Sequence, residues 1–66
     1  MKRSLVMLRS GDVFWLNGKR HIFLMWRFIG DDIYHVNAMH VKSGKYLTYR
    51  SITMDYKVIV KNKLPE

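Results

Sequence analysis

The sequence predicts an all-β domain built from consecutive hairpins, and three observations predict it. Turn chemistry recurs between residues 17 and 44, at Asn17-Gly18, Gly30-Asp31-Asp32 and Ser43-Gly44. The stretches between these turns are rich in Val, Ile, Tyr and Phe, which suit a pleated, half-buried surface. Within the stretches, apolar and polar residues alternate with the period of a strand. The expected arrangement is a meander of five short strands with a short helical turn before the last.

The run 4–8 is compatible with an extra short strand that would add to an edge or close the structure. Asn17-Gly18 joins 12–16 to the run from Lys19, because both residues tolerate the positive φ of a type I′ turn. Residues 22–29 are apolar except for Arg27. Ile22, Met25, Trp26 and Ile29 also fit a helical template, but Phe23, Leu24 and Phe28 fill the opposite side and no capping residue opens the run. A strand there places Ile22, Leu24, Trp26 and Phe28 on one uninterrupted apolar face, assigned to the core. His21, Phe23, Met25, Arg27 and Ile29 then face outward.

The next strand points Tyr34, Val36 and Ala38 one way and His35, Asn37 and Met39 the other. In 45–52, Tyr46 and Thr48 oppose Leu47 and Tyr49, and alternation alone leaves both facings open. Residues 51–55 break the alternation and mark the helical turn or corner. Val58 and Val60 then alternate with Lys57, Ile59 and Lys61 in the last strand, and 62–66 form a loose tail. The whole chain, 1–66, is thus one domain with its core within about 11–61.

A chain of 66 residues buries only about 60% of its unfolded surface, so the core is small. There are no cysteines, which excludes disulfides and thiolate zinc sites and fits a reducing compartment. No segment approaches the roughly 20 apolar residues that span a bilayer. The apolar run at 5–8 is too short for a secretory signal, so the expected location is cytoplasmic. Twelve Lys and Arg against five Asp and Glu give a formal charge of +7. Self-repulsion of that size is tolerated when a polyanion is the usual neighbour.

Gly11-Asp12-Val13, Asn17-Gly18-Lys19-Arg20 and Tyr34-His35-Val36 follow in a cadence that resembles KOW and Tudor-type SH3-like small barrels, over about residues 11–60. The resemblance implies a small five-stranded SH3-like barrel, a curled sheet whose ends meet and hide most edges. Proteins of this kind bind nucleic acid, ribosomal or polymerase surfaces, or peptides, so the fold does not choose among functions. The short, basic, aromatic-rich chain also has the look of a small phage-encoded accessory protein.

No catalytic constellation can be assembled, and no enzymatic activity, cofactor or metal is expected. His35 and His40 are five apart and fall on opposite faces of a strand, and no thiolate or acidic ligand accompanies His21. Asp31-Asp32 follows a glycine and reads as a turn former. There is no phosphate-binding glycine loop and no nucleophile elbow. The basic residues say more, because they alternate with aromatics on positions expected to face outward. Lys19, Arg20, Arg27, Lys42, Lys45 and Arg50 are candidate phosphate contacts on DNA or RNA, and Phe23 and Tyr49 candidate stacking surfaces for exposed bases.

Two other readings compete with nucleic-acid binding. An outward stripe of Phe23, Met25 and Ile29, with Trp15 as an anchor should its face point outward, would make a contact for a host protein with an acidic surface. A thin core with a free edge at 4–8 would instead suit a self-associating structural protein. Sequence alone leaves open DNA versus RNA, any sequence preference, the protein partner and the oligomeric state.

Overall fold

The computed structural model describes residues 1–60. The tail 62–66 and the expected end of the last strand at Lys61 lie outside the described residues. The described chain is all-β: β1 (Lys2–Ser4), a 3-10 turn η1 (Leu5–Met7), β2 (Val13–Leu16), β3 (Lys19–Gly30), β4 (Ile33–His40), β5 (Tyr46–Ile52) and β6 (Lys57–Val60). All six strands belong to one antiparallel sheet in the order β1-β6-β2-β3-β4-β5. β1 and β5 are its edges, so the described residues form an open sheet of six strands where a closed ring of five was expected. No helix among them is long and apolar enough to cross a membrane.

The turns follow from local chemistry. Asn17 and Gly18 take φ of 54° and 74°, the left-handed values that a type I′ hairpin requires. Asp31 and Asp32 do the same at 53° and 59°, and short polar side chains make that conformation accessible. The β4–β5 connection is held by the His40 N–H on the Lys45 carbonyl (2.8 Å) and the Gly44 N–H on the His40 carbonyl (2.7 Å). Before β6 the chain makes a simple turn, with the Tyr56 N–H on the Thr53 carbonyl at 3.1 Å, and not the helical turn expected there. The helical turn sits instead at Leu5–Met7, inside the run read as an extra strand. That extra strand exists, but two residues earlier and paired with β6.

One face of the sheet carries the core. Phe14, Phe23, Val36, Ala38, Ile52, Val58 and Val60 are buried there, and η1 with the residue after it covers them through Leu5, Val6 and Leu8. β4 alternates as expected, with Val36 and Ala38 inside and Asn37 outside, where it accepts a hydrogen bond from the Thr48 hydroxyl at 2.9 Å. In β5, Tyr49 faces inward, packing against the core cluster, and Leu47 shares its face by alternation.

β3 departs from period two, and the departure reverses an expectation. Phe23 pairs with Ala38, but Met25 pairs with Asn37, so Leu24 is an extra residue on β3. A bulge of this kind shifts every later side chain to the other face. Phe23, expected outside, lies before the bulge and is in the core at 2% exposure. Ile22, expected inside, pairs with Met39 on the outer face. Past the bulge, Trp26 and Phe28 do point to the core side, opposite Val36 and Tyr34. Pairing with β2 ends at Ile22, and Trp26, expected as a core residue, is 45% exposed although it sits opposite the buried Val36. Past that point β3 and β4, with β5 paired as far as Ile52, form an arm of the sheet in a molecule of 40 × 24 × 20 Å. Tyr34 stabilises the arm, lying edge-on to Trp26 and Phe28 with ring centroids 5.2 Å apart in each case.

Candidate nucleic-acid interface

At the end of the sheet opposite the arm, the β2–β3 and β4–β5 turns lie side by side. The Val41 N–H donates to the Arg20 carbonyl at 3.0 Å, tying one turn to the strand that leaves the other. This contact gathers the exposed cations Lys19, Arg20, Lys42 and Lys45 at one end of the molecule. Two depressions flank them. On the outer face, a groove of about 580 Å³ is lined by Trp15, Lys19, Arg20, His40 and Lys42. On the inner face, a depression of about 260 Å³ is lined by Lys19, His40, Ser43, Lys45 and Tyr49, with His21 among its walls. Lys19 and His40 belong to both.

Trp15 pairs with Arg20 on the outer face, and the Arg20 guanidinium lies 6.0 Å from the centre of the indole ring. A cation held over an indole keeps its charge available while its stem is ordered. The alternation that leaves Trp15 unassigned in sequence is thus resolved outward, and Phe14 takes the inner face.

Beneath the cations lies a network of aromatic and polar side chains. His21 is 2% exposed. Its ring stacks on Phe14, with centroids 5.1 Å apart and planes 13° apart, and His40 and Tyr49 approach it edge-on. Nδ1 lies 2.9 Å from the Lys19 carbonyl and donates to it, because a carbonyl can only accept. The neutral ring therefore has a free lone pair at Nε2, which takes the Tyr49 hydroxyl hydrogen at 2.8 Å. Burial pushes the His21 pKa below its ordinary 6.5, helped by the charges of His40 and Lys19 and opposed by the Lys19 carbonyl. Burial likewise raises the Tyr49 phenol above its ordinary 10.0, with Tyr56 adding to it.

His40 holds the opposite tautomer. Its Nδ1 accepts from the Ser43 hydroxyl at 2.7 Å, and the Ser43 N–H approaches the same nitrogen at 3.4 Å. In the neutral ring the proton is then on Nε2, and His40 offers a donor to whatever occupies the depressions it lines.

The other candidates are placed differently. Arg27 pairs across to His35 on the outer face of the arm. Arg50 and Ser51 together oppose His35 in a β4–β5 bulge, with Ser51 at φ 61°, so Arg50 also belongs to the arm. At about 3.3 Å per residue, Arg27 stands roughly 20 Å along the sheet from Arg20. Phe23 is withdrawn into the core and cannot stack on a base. Tyr49 is half-buried with its hydroxyl held by His21, and only its ring borders the inner depression. Met25 and Ile29 are exposed on the arm as expected, but without Phe23 the three-residue stripe does not form.

Sequence reasoning missed His40 and Ser43. Their signal is the hairpin pairing of His40 with His21, which brings the residue before one turn beside the residue after another. Among the described residues, no group of three or more potential ligands could hold a metal ion. Of the acidic side chains, Asp31 and Asp32 cap the tip of the arm, roughly 35 Å away along β3, and Asp55 stands before β6. Comparison with protein-family models, with curated proteins and with solved structures finds no match for this chain.

Proposed function

We propose that this protein is a small SH3-like β domain that binds nucleic acid through its paired-turn end, chiefly by phosphate contacts. The observation that carries the reading is the convergence of Lys19, Arg20, Lys42 and Lys45 from two hairpins around two adjoining depressions, with Asp31 and Asp32 at the opposite end. Four cations on a rigid pair of turns neutralise neighbouring phosphates without ordering new backbone. The separated carboxylates orient the chain in the field of a polyanion. Arg20 over Trp15 adds a flat cationic surface for a sugar or base. Little base-edge readout is expected, since no helix or ribbon is shaped to enter a groove.

The test is a titration of fluorescent single- and double-stranded oligonucleotides at several salt concentrations. Affinity should fall with a log–log slope of about −0.7 per phosphate neutralised on a single strand and −0.9 on a duplex. A flat salt dependence, or no binding at low salt, removes the proposal.

A second reading is favoured by a separate observation. Met25, Trp26, Phe28 and Ile29 are all about half exposed on the arm, with Trp26 and Phe28 side by side on one face, and contiguous apolar surface on so small a protein marks a contact for another protein. Pull-down with wild type and with a Trp26→Ser/Phe28→Ser variant tests it: a partner captured by both is not held by the arm.

A further inference from the structure

The inner depression is smaller than the outer groove, at about 260 against about 580 Å³. The hydrogen-bonded His21–Tyr49 pair lines it with Leu16, Asn17 and Leu47, and it carries Lys19 from one hairpin and Lys45 from the other. Among the described residues that line it, none is acidic. His40 and the two lysines are set as donors, and the Asn17 amide both donates and accepts. Ser43 spends its hydroxyl hydrogen on His40 Nδ1 and its oxygen lone pair on the Lys45 N–H at 3.3 Å, which leaves the His40 Nε2–H and the two ammonium groups to meet a ligand.

Two cations and a histidine N–H, with no carboxylate lining the site, favour an oxyanion. Charge and free oxygens select further. A phosphodiester carries one charge and continues in both directions. A phosphomonoester carries about 1.5 to 2 negative charges at neutral pH, has three free acceptor oxygens and ends the chain. We infer that this depression takes the terminal phosphomonoester of a nucleic-acid strand, so that the protein prefers phosphorylated ends over internal strand. The inference rests on the nucleic-acid reading and adds to it the part of the strand that is recognised.

The experiment compares one single-stranded oligonucleotide in three forms, with a 5′-phosphate, with a 3′-phosphate and with hydroxyl ends, at one salt concentration. Wild type, His40→Gln and Ser43→Ala are measured, with circular dichroism confirming that each variant is folded. One phosphorylated form should bind about tenfold tighter than the hydroxyl form, the value of a charge-assisted hydrogen bond or two. That ratio should shrink toward one in both variants, and excess inorganic phosphate should erase it in wild type. Equal affinity for all three ends, with binding itself intact, overturns the inference and leaves the interface standing. Inorganic phosphate that shifts the His40 and Lys45 NMR resonances while the ends stay equal overturns it too, because the site would then take the free ion. Failure of every form to bind at low salt overturns the interface and the inference together.

Discussion

The Tyr49 hydroxyl donates to Nε2 of His21 across 2.8 Å, joining the inner faces of β3 and β5 through a histidine that is almost wholly buried. β4 lies between these strands in the sheet, so the bond spans two strands and braces the curl that brings the two turns together. Replacing Tyr49 with Phe keeps the ring but leaves the Nε2 acceptor buried without its donor. The expected loss is about 1–3 kcal/mol, the cost of an unsatisfied buried polar group, read from urea denaturation at pH 7.5. A variant as stable as wild type would mean that water replaces the hydroxyl.

The depressed His21 pKa fixes the direction of a pH dependence. Below its ordinary value of 6.5 the unfolded chain binds the proton that the folded chain resists. Stability is therefore full above about pH 6.5 and declines as pH falls toward the folded value, with a slope of no more than about 1.4 kcal/mol per pH unit from this group. Denaturation midpoints from pH 8 to pH 5 should show the decline, and His21→Leu should flatten it. A decline of the same size in His21→Leu would assign it to other groups.

The bulge at Leu24 predicts unequal roles for two neighbouring aromatics. Phe23→Ala opens a cavity in the core and should cost about 3–5 kcal/mol. Trp26→Ala on the arm loses mainly its edge contact with Tyr34, and about 1 kcal/mol should cover it. Thermal melts that rank Trp26→Ala as the more damaging change would restore the unbulged register.

Asp31 and Asp32 both hold positive φ and place two like charges side by side at the tip of the arm. Replacing them with Asn-Gly supplies the preferred type I′ pair and removes the repulsion. A gain of about 0.5–1 kcal/mol is expected in the same melts.

Much of this architecture is legible in the sequence because it depends on neighbours in the chain. Asn17-Gly18 and Asp31-Asp32 need only their own φ preferences, and the alternation of Val36 with Asn37, or of Val58 with Lys57, needs only the pleat. What escapes is set across strands. Nothing in Phe23-Leu24-Met25 announces an extra residue, because the bulge is defined by the pairing of Phe23 with Ala38 and Met25 with Asn37. One such residue puts Phe23 and Trp26 on the same face, where strict alternation would set them on opposite ones. The interface is legible in the same partial way. Lys19, Arg20, Lys42 and Lys45 stand beside turns that the sequence announces, and their convergence follows once the hairpins are neighbours. Arg27 and Arg50 separate from them because the length of the arm depends on where the core ends.

A matched pair of charge variants tests the paired-turn interface most directly. Lys19→Gln/Lys42→Gln and Arg27→Gln/Arg50→Gln each remove two positive charges from a net +7, so any difference between them reports position and not total charge. Oligonucleotide affinity measured against salt should show the first variant losing about 1.4–1.8 from the magnitude of the wild-type slope, two phosphate contacts' worth. The second should stay close to wild type. Equal losses in the two variants would mean that binding follows net charge alone, and would contradict a site at the paired turns.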